Sequence, residues 1–245
     1  MEHIDYRTIK AIENAANNSG WENAEVAEDE VVLSSSLCDG PVQVKSIPGA
    51  GYSLTFVAPL LAEKMTVEYG ASALSHIAGF DALTSILKRA SVIASSLPQS
   101  PYKEYMEQIK RLDITDTERL AVEKERIGQE LYRNALLRFW NYRCVLTGVD
   151  QQELLVASHA KPWAACSTPE ERLNVFNGFI FEARFDRLFD QGFISFDDQG
   201  LIMISPKLSM ENRKALGLDT SMAIKGIESA HRPFLAYHRE HVFFA

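Results

Sequence analysis

The residues with the most chemistry in this chain are His159, Asp186 and Asp190, set among short apolar runs. His159 closes the apolar run 154–158, and Asn177-Gly178 opens a second one, Phe179-Ile180-Phe181. Asp186 and Asp190 are four residues apart, which places them on one face of a helix that Gly192 can end. Carboxylate oxygens suit a hard cation such as Mg²⁺, and a neutral imidazole can take a proton from water near pH 7. Together these are the parts for metal-assisted hydrolysis. Taken singly, each residue has a plainer reading: a histidine ending an apolar run is commonly packed in a core or turn, and aspartates four apart commonly form a solvated face.

The elements that must hold these groups are two paired strands joined by a long loop, followed by a helix. Ahead of them, Thr115-Asp116-Thr117-Glu118 has the form of a capping box, and Leu120, Ile127, Leu131, Leu137 and Trp140 follow on a helical stripe. This predicts a long helix leading into the motif. Nearer the N-terminus, Tyr6, Ile9 and Ile12 predict a short helix stopped near Gly20, and 30–58 reads as a small antiparallel sheet. Helices are expected over 60–69 and 73–95. The stretch 95–101, with two prolines, is a boundary candidate, and 102–111 reads as a connecting helix. The expected fold class is α+β, with a domain over 1–112 and a second over 113–245.

The ordered set of motifs resembles the HNH endonucleases, which have a ββα-metal fold, in particular their bacterial restriction-endonuclease-like branch. The carriers are Ile127-Gly128-Gln129 with Tyr132-Arg133, Cys144-Val145-Leu146-Thr147-Gly148, and Ser158-His159-Ala160-Lys161-Pro162-Trp163. Asn177-Gly178, the run from Phe185 to Phe196, and Leu235-Ala236-Tyr237-His238-Arg239-Glu240 complete them, so the resemblance spans roughly 127–244. It implies that His159 is the general base and that Asn177 ties the loop to the motif. It implies Asp186 and Asp190 as metal ligands, with Ser158 at a third ligand position where related nucleases often carry Asp or His. A hydroxyl there ligates Mg²⁺ less well than a carboxylate does. Lys161, Arg143, Arg184 and Arg187 surround the motif and could pair with phosphates, or could be ordinary surface charge.

The implied activity is Mg²⁺-dependent hydrolysis of DNA, of restriction or defence type, with Mn²⁺ as a possible substitute. A structural zinc is not expected, because Cys144 is the one cysteine near the place where some branches use four. Double-stranded DNA is the expected partner, and a homodimer is expected because cutting both strands needs two active sites. Two rivals remain open: a DNA-binding protein on an HNH fold that no longer cuts, and a broad-specificity nuclease toxin.

Composition narrows the field. The chain has 245 residues, 46% of them hydrophobic, which is enough for a real core. Its 25 basic and 33 acidic residues give a net charge of −8, so any nucleic-acid contact must be local rather than a broad basic surface. Three scattered cysteines form no disulfide framework. With no long apolar run and no leader pattern at Met1-Glu2-His3-Ile4-Asp5, a cytoplasmic location and no membrane association are expected. Residues 1–110 match no family by their sequence. A recognition or dimerisation role for them is an expectation by analogy.

Overall fold

The computed structural model describes residues 4–36 and 38–245. Of the residues weighed for a leader, Met1 to Asp5, the first three lie outside the described part. The fold is α+β, and the chain divides into two units, Met1–Ser95 and Ser96–Ala245.

The first unit begins with α1 (Tyr6–Asn17), whose N-terminal amides at Arg7 and Thr8 donate to the Asp5 carboxylate. Strands β1 (Asn23–Ala27), β2 (Glu30–Ser34), β3 (Val42–Ile47) and β4 (Gly51–Phe56) follow as an antiparallel meander in chain order. The register sets Val31 opposite Val44, Leu33 opposite Val42, and Val44 opposite Leu54. Alternation therefore gathers these side chains on one face, and all are buried. Helices α2 (Pro59–Tyr69), α3 (Ala71–Ser75) and α4 (Phe80–Ala94) complete the unit. Leu83, Leu87, Ala90 and Ala94 make the buried stripe of α4.

Two local expectations are corrected in this unit. The helix expected over 73–95 is broken, because Ile77 leaves it to bridge Tyr52 of β4 through paired backbone hydrogen bonds of 2.9 and 2.8 Å. Gly51 permits this approach: a Cβ there would lie 2.1 Å from the Ile77 carbonyl oxygen. Strand β1 was not expected, since its residues are mostly exposed and lack apolar alternation.

In the second unit α5 (Gln99–Lys110) packs on the long α6 (Thr117–Phe139). The division between Ser95 and Ser96 falls at the start of the 95–101 boundary candidate, ahead of 112/113, and keeps α5 with α6. The start of α6 also differs from the capping-box reading: Asp116, one residue after Thr115, is the cap and accepts from the Arg119 amide at 2.7 Å. Next come β5 (Leu155–His159), the short helix α7 (Pro169–Arg172), β6 (Gly178–Glu182) and α8 (Ala183–Asp190). The order strand, long loop, strand, helix is as expected. A second hairpin, β7 (Ile194–Phe196) with β8 (Ile202–Ile204), is followed by α9 (Met210–Ala215) and α10 (Arg232–His241).

Strands β5 and β6 pair antiparallel, with Ser158 opposite Phe179 and His159 opposite Gly178. Both α6 and α8 pack on this hairpin. Gly178 to Phe181 are consequently buried without alternation. The core here is phenylalanine-rich: Phe179, Phe181, Phe185, Phe189 and Phe196 are all fully buried. Among the described residues no helix is long and apolar enough to cross a membrane.

Candidate active site

Glycine makes the end of the β5–β6 hairpin possible. A Cβ on Gly178 would lie 2.0 Å from the Tyr132 hydroxyl and 2.2 Å from the Ser158 carbonyl oxygen. The buried Tyr132 hydroxyl occupies that space, 3.1 Å from the Asn177 carbonyl and 3.4 Å from that of Ser158. One phenol from α6 thus seats on both strands at the point where His159 emerges.

The His159 ring stacks on Tyr132 with centroids 3.8 Å apart, and Trp163 meets it edge-on at 5.6 Å. Its Nε2 lies 2.9 Å from the carbonyl oxygen of Arg172. A carbonyl can only accept, so Nε2 carries the proton and Nδ1 keeps the lone pair. Burial lowers the pKa of this imidazole to about 4, partly offset by the Arg172 carbonyl. At neutral pH the ring is therefore uncharged and Nδ1 is a proton acceptor.

Asn177, fully buried, ties the loop between the strands to the hairpin. Its Oδ1 accepts from the Lys161 amide at 2.7 Å, and its Nδ2 donates to the carbonyls of Lys161 at 3.1 Å and Glu171 at 3.4 Å. Each such bond contributes on the order of 1 kcal/mol, and a buried amide stripped of partners would cost more.

On the other side of β5, the buried Ser158 hydroxyl lies near enough to the Asp186 carboxylate of α8 to act on its ionisation. Burial raises the Asp186 pKa most; the Ser158 hydroxyl lowers it, the neighbouring Asp190 charge raises it, and Arg187 lowers it. Asp190 is exposed, with its Oδ2 3.0 Å from Gln191 Nε2 and 3.8 Å from Arg187 Nη1. Consecutive strand residues face opposite ways, so Ser158 points to α8 while His159 lies against Tyr132 of α6. The structure brings Ser158 together with Asp186, and Asp190 close enough to act on it. The imidazole makes its contacts across the strand from them, a placement that differs from a helix lying directly over the histidine. Among the described residues no group of three or more His, Cys, Asp or Glu side chains is placed to hold a metal ion. The Asp186 and Asp190 carboxylates and the Ser158 hydroxyl offer oxygen atoms alone, a chemistry that suits a hard divalent cation keeping much of its own water.

All four candidate phosphate contacts are paired with nearby carboxylates, Arg187 the most loosely at 3.8 Å from Asp190. Lys161 Nζ is 2.6 Å from Glu171, Arg143 is 2.8 Å from Asp150, and Arg184 is 2.7 Å from Glu182. Arg187 is the most open of them, its side chain 73% exposed.

Residues that sequence reasoning passed over do much of the positioning. Arg172 and Glu171 sit in Pro169-Glu170-Glu171-Arg172, which reads as an ordinary polar loop segment. Their backbone carbonyls hold His159 and Asn177, and no side-chain pattern announces a backbone contact. The Cys144 to Gly148 motif is a turn docked on the hairpin: the Gly148 amide donates to the Cys144 carbonyl at 2.9 Å, and the Glu182 amide to Cys144 Sγ at 3.4 Å. His238 packs as expected, stacked on Phe189 at 3.8 Å, donating from Nε2 to the Phe189 carbonyl and accepting at Nδ1 from Ser195.

A comparison with curated proteins finds no match for this chain. Residues 144–197 match a family model, HNH_2, described as HNH endonuclease. The matched segment starts at the Cys144 turn and takes in both strands of the hairpin, Asn177 and all of α8. Through this segment the chain is similar to the HNH endonucleases.

Proposed function

We propose that this protein is a Mg²⁺-dependent DNA endonuclease of restriction or defence type, with His159 as general base. The HNH domain itself supports nuclease activity on nucleic acid, and HNH nucleases usually use a divalent metal. The observation that carries the finer reading is the state of His159: neutral, with its Nε2 proton held by a carbonyl and its Nδ1 lone pair free to accept. Nδ1 takes the proton of a water as that water attacks the phosphorus of a DNA strand. Asp186 and Asp190, with Ser158 as a weaker donor, would hold a divalent cation, which would supply charge neutralisation at the phosphate. Asn177 keeps the loop, and with it the Arg172 carbonyl, in register with the hairpin. Arg187, on the same helix as the carboxylates and open to solvent, is the best placed of the four cations to meet a phosphate. Residues 1–112 fit a recognition or dimerisation role, which size-exclusion mass with and without duplex DNA would test.

The test is cleavage of supercoiled plasmid, methylated and unmethylated, with Mg²⁺ or with chelator. Wild type should nick or linearise it only with the metal. His159→Ala should lose about 10³-fold in rate while retaining DNA binding in a mobility-shift assay. Equal cleavage by that variant would remove His159 from the role. The rival reading, a binder that does not cut, draws on the hydroxyl of Ser158 where a stronger ligand is common. Plasmid left intact by wild type under every metal condition would favour it.

A further inference from the structure

We infer that the Arg172 side chain is a positioning residue for His159, tying α7 to the loop after β5 so that its own carbonyl keeps the imidazole in the Nε2-protonated tautomer. This rests on the reading of His159 as the general base.

Helix α7 has only four residues, too few to hold its place by its own hydrogen bonds. The carbonyls at its C-terminal end have no partner within the helix. Two consecutive ones are used by the motif: the Glu171 carbonyl accepts from Asn177 Nδ2 at 3.4 Å and the Arg172 carbonyl from His159 Nε2 at 2.9 Å. Where these oxygens sit therefore depends on what anchors α7 from outside.

The Glu171 carboxylate, held by Lys161 Nζ at 2.6 Å and the Ser167 amide at 2.7 Å, is one anchor, and the Arg172 guanidinium is the one that also reaches the wall of the imidazole cage. Its Nε donates to the Trp163 carbonyl at 3.2 Å and its Nη2 to the Cys166 carbonyl at 2.9 Å. The same group lies 5.7 Å from the Trp163 ring centroid, and that ring is the one packed edge-on against His159. Both the hydrogen bond to the imidazole and one wall of its cage thus run through one side chain. The planar fork matters, since a lysine offers a single mobile charge that cannot reach two carbonyls in fixed geometry. Arg172 and Trp163 also line a cleft of about 300 Å³ with Tyr105 and Leu173, so a small cation can reach the place the guanidinium fills.

The experiment uses the full chain labelled with ¹⁵N-histidine, with His159→Gln to assign the His159 signals. Wild type should give the two-bond correlation pattern of a single Nε2-protonated tautomer at His159. Arg172→Ala should give averaged tautomers. In plasmid cleavage it should lower kcat by about tenfold or more, with KM within about twofold, as for partners that orient a reacting group. Arg172→Lys should recover only part of kcat, and millimolar guanidinium should restore part of the Arg172→Ala rate. A folded Arg172→Ala protein with the wild-type tautomer pattern and wild-type kcat would overturn the inference. Should that variant not fold, Arg172→Lys decides by the same spectrum: averaging supports the role and an unchanged single tautomer overturns it. Failure of wild type to cleave DNA would count against the base assignment alone, because the tautomer reading needs no substrate.

Discussion

The sheet of the first unit and the hairpin of the second bury their strands in different ways. In the meander, one face collects Val31, Leu33, Val42, Val44 and Leu54, and alternation leaves the other face polar. In the hairpin, α6 and α8 cover both faces, so Gly178 to Phe181 are buried in succession. Among the described residues, the buried polar side chains of the first unit are Ser19 and Lys64. Those of the second include Ser158, Asn177, Ser195, His231 and His238. A face that only excludes water needs apolar residues at every second position. A hairpin that must orient an imidazole and an amide needs polar groups in its interior, each held by a partner, because an unpaired one is costly. Buried polar groups are therefore concentrated where the packing is least regular.

The largest test of this contrast is Gly178→Ala. A methyl there meets the Tyr132 hydroxyl and the Ser158 carbonyl far inside contact distance, and neither can retreat without parting the strands. The variant should lose about 3 kcal/mol or more of stability, read as a lower denaturant midpoint, and with it the His159 geometry. A wild-type midpoint would mean that Tyr132 does not seat the hairpin.

Acid should come next, and should act on the second unit. His159 and His238 each have a folded pKa of about 4 against an ordinary 6.5. Between those values the unfolded chain binds more protons, so stability is full above pH 6.5 and falls as pH drops toward 4. The slope is at most about 1.4 kcal/mol per pH unit from each histidine. Denaturant titrations at pH 7, 5.5 and 4.5 read it, and His238→Gln should flatten it. Both of these histidines lie in the second unit, so hydrogen exchange in the meander should rise less over the same range. An equal rise in both units would break the contrast.

The smallest effect is expected at Gly49, in a turn of the first unit. Its φ of +71° strains any other residue, yet a Cβ there meets no atom within 4 Å. Gly49→Ala should cost about 1 kcal/mol, and thermal melts would measure it. A loss as large as that of Gly178→Ala would show that backbone conformation, and not close approach, governs glycine in this chain.

Much of the frame was legible because its signals are local. The apolar alternation of 31–33 and 42–44, the stripe of α6, and the order strand, loop, strand, helix around His159 all follow from side chains a few residues apart. Breaks in the pattern escaped where a distant partner caused them. Ile77 leaves its helix only because β4 offers a free edge at Tyr52, and β1 exists only because β2 pairs with it. The turn signal at 95–101 does mark the break, and α5 goes with the second unit because it packs on α6.

The sequence alone determined which groups this protein has for chemistry: a histidine ending a strand, an asparagine before a glycine, and aspartates one helical turn apart, all in the order of an HNH endonuclease. Only the tertiary structure decided their state. Which nitrogen of His159 holds the proton depends on a carbonyl 13 residues away, at the end of a helix too short to place itself. Residue types are inherited along the chain, but burial, tautomer and the sharing of backbone oxygens exist only once distant segments meet.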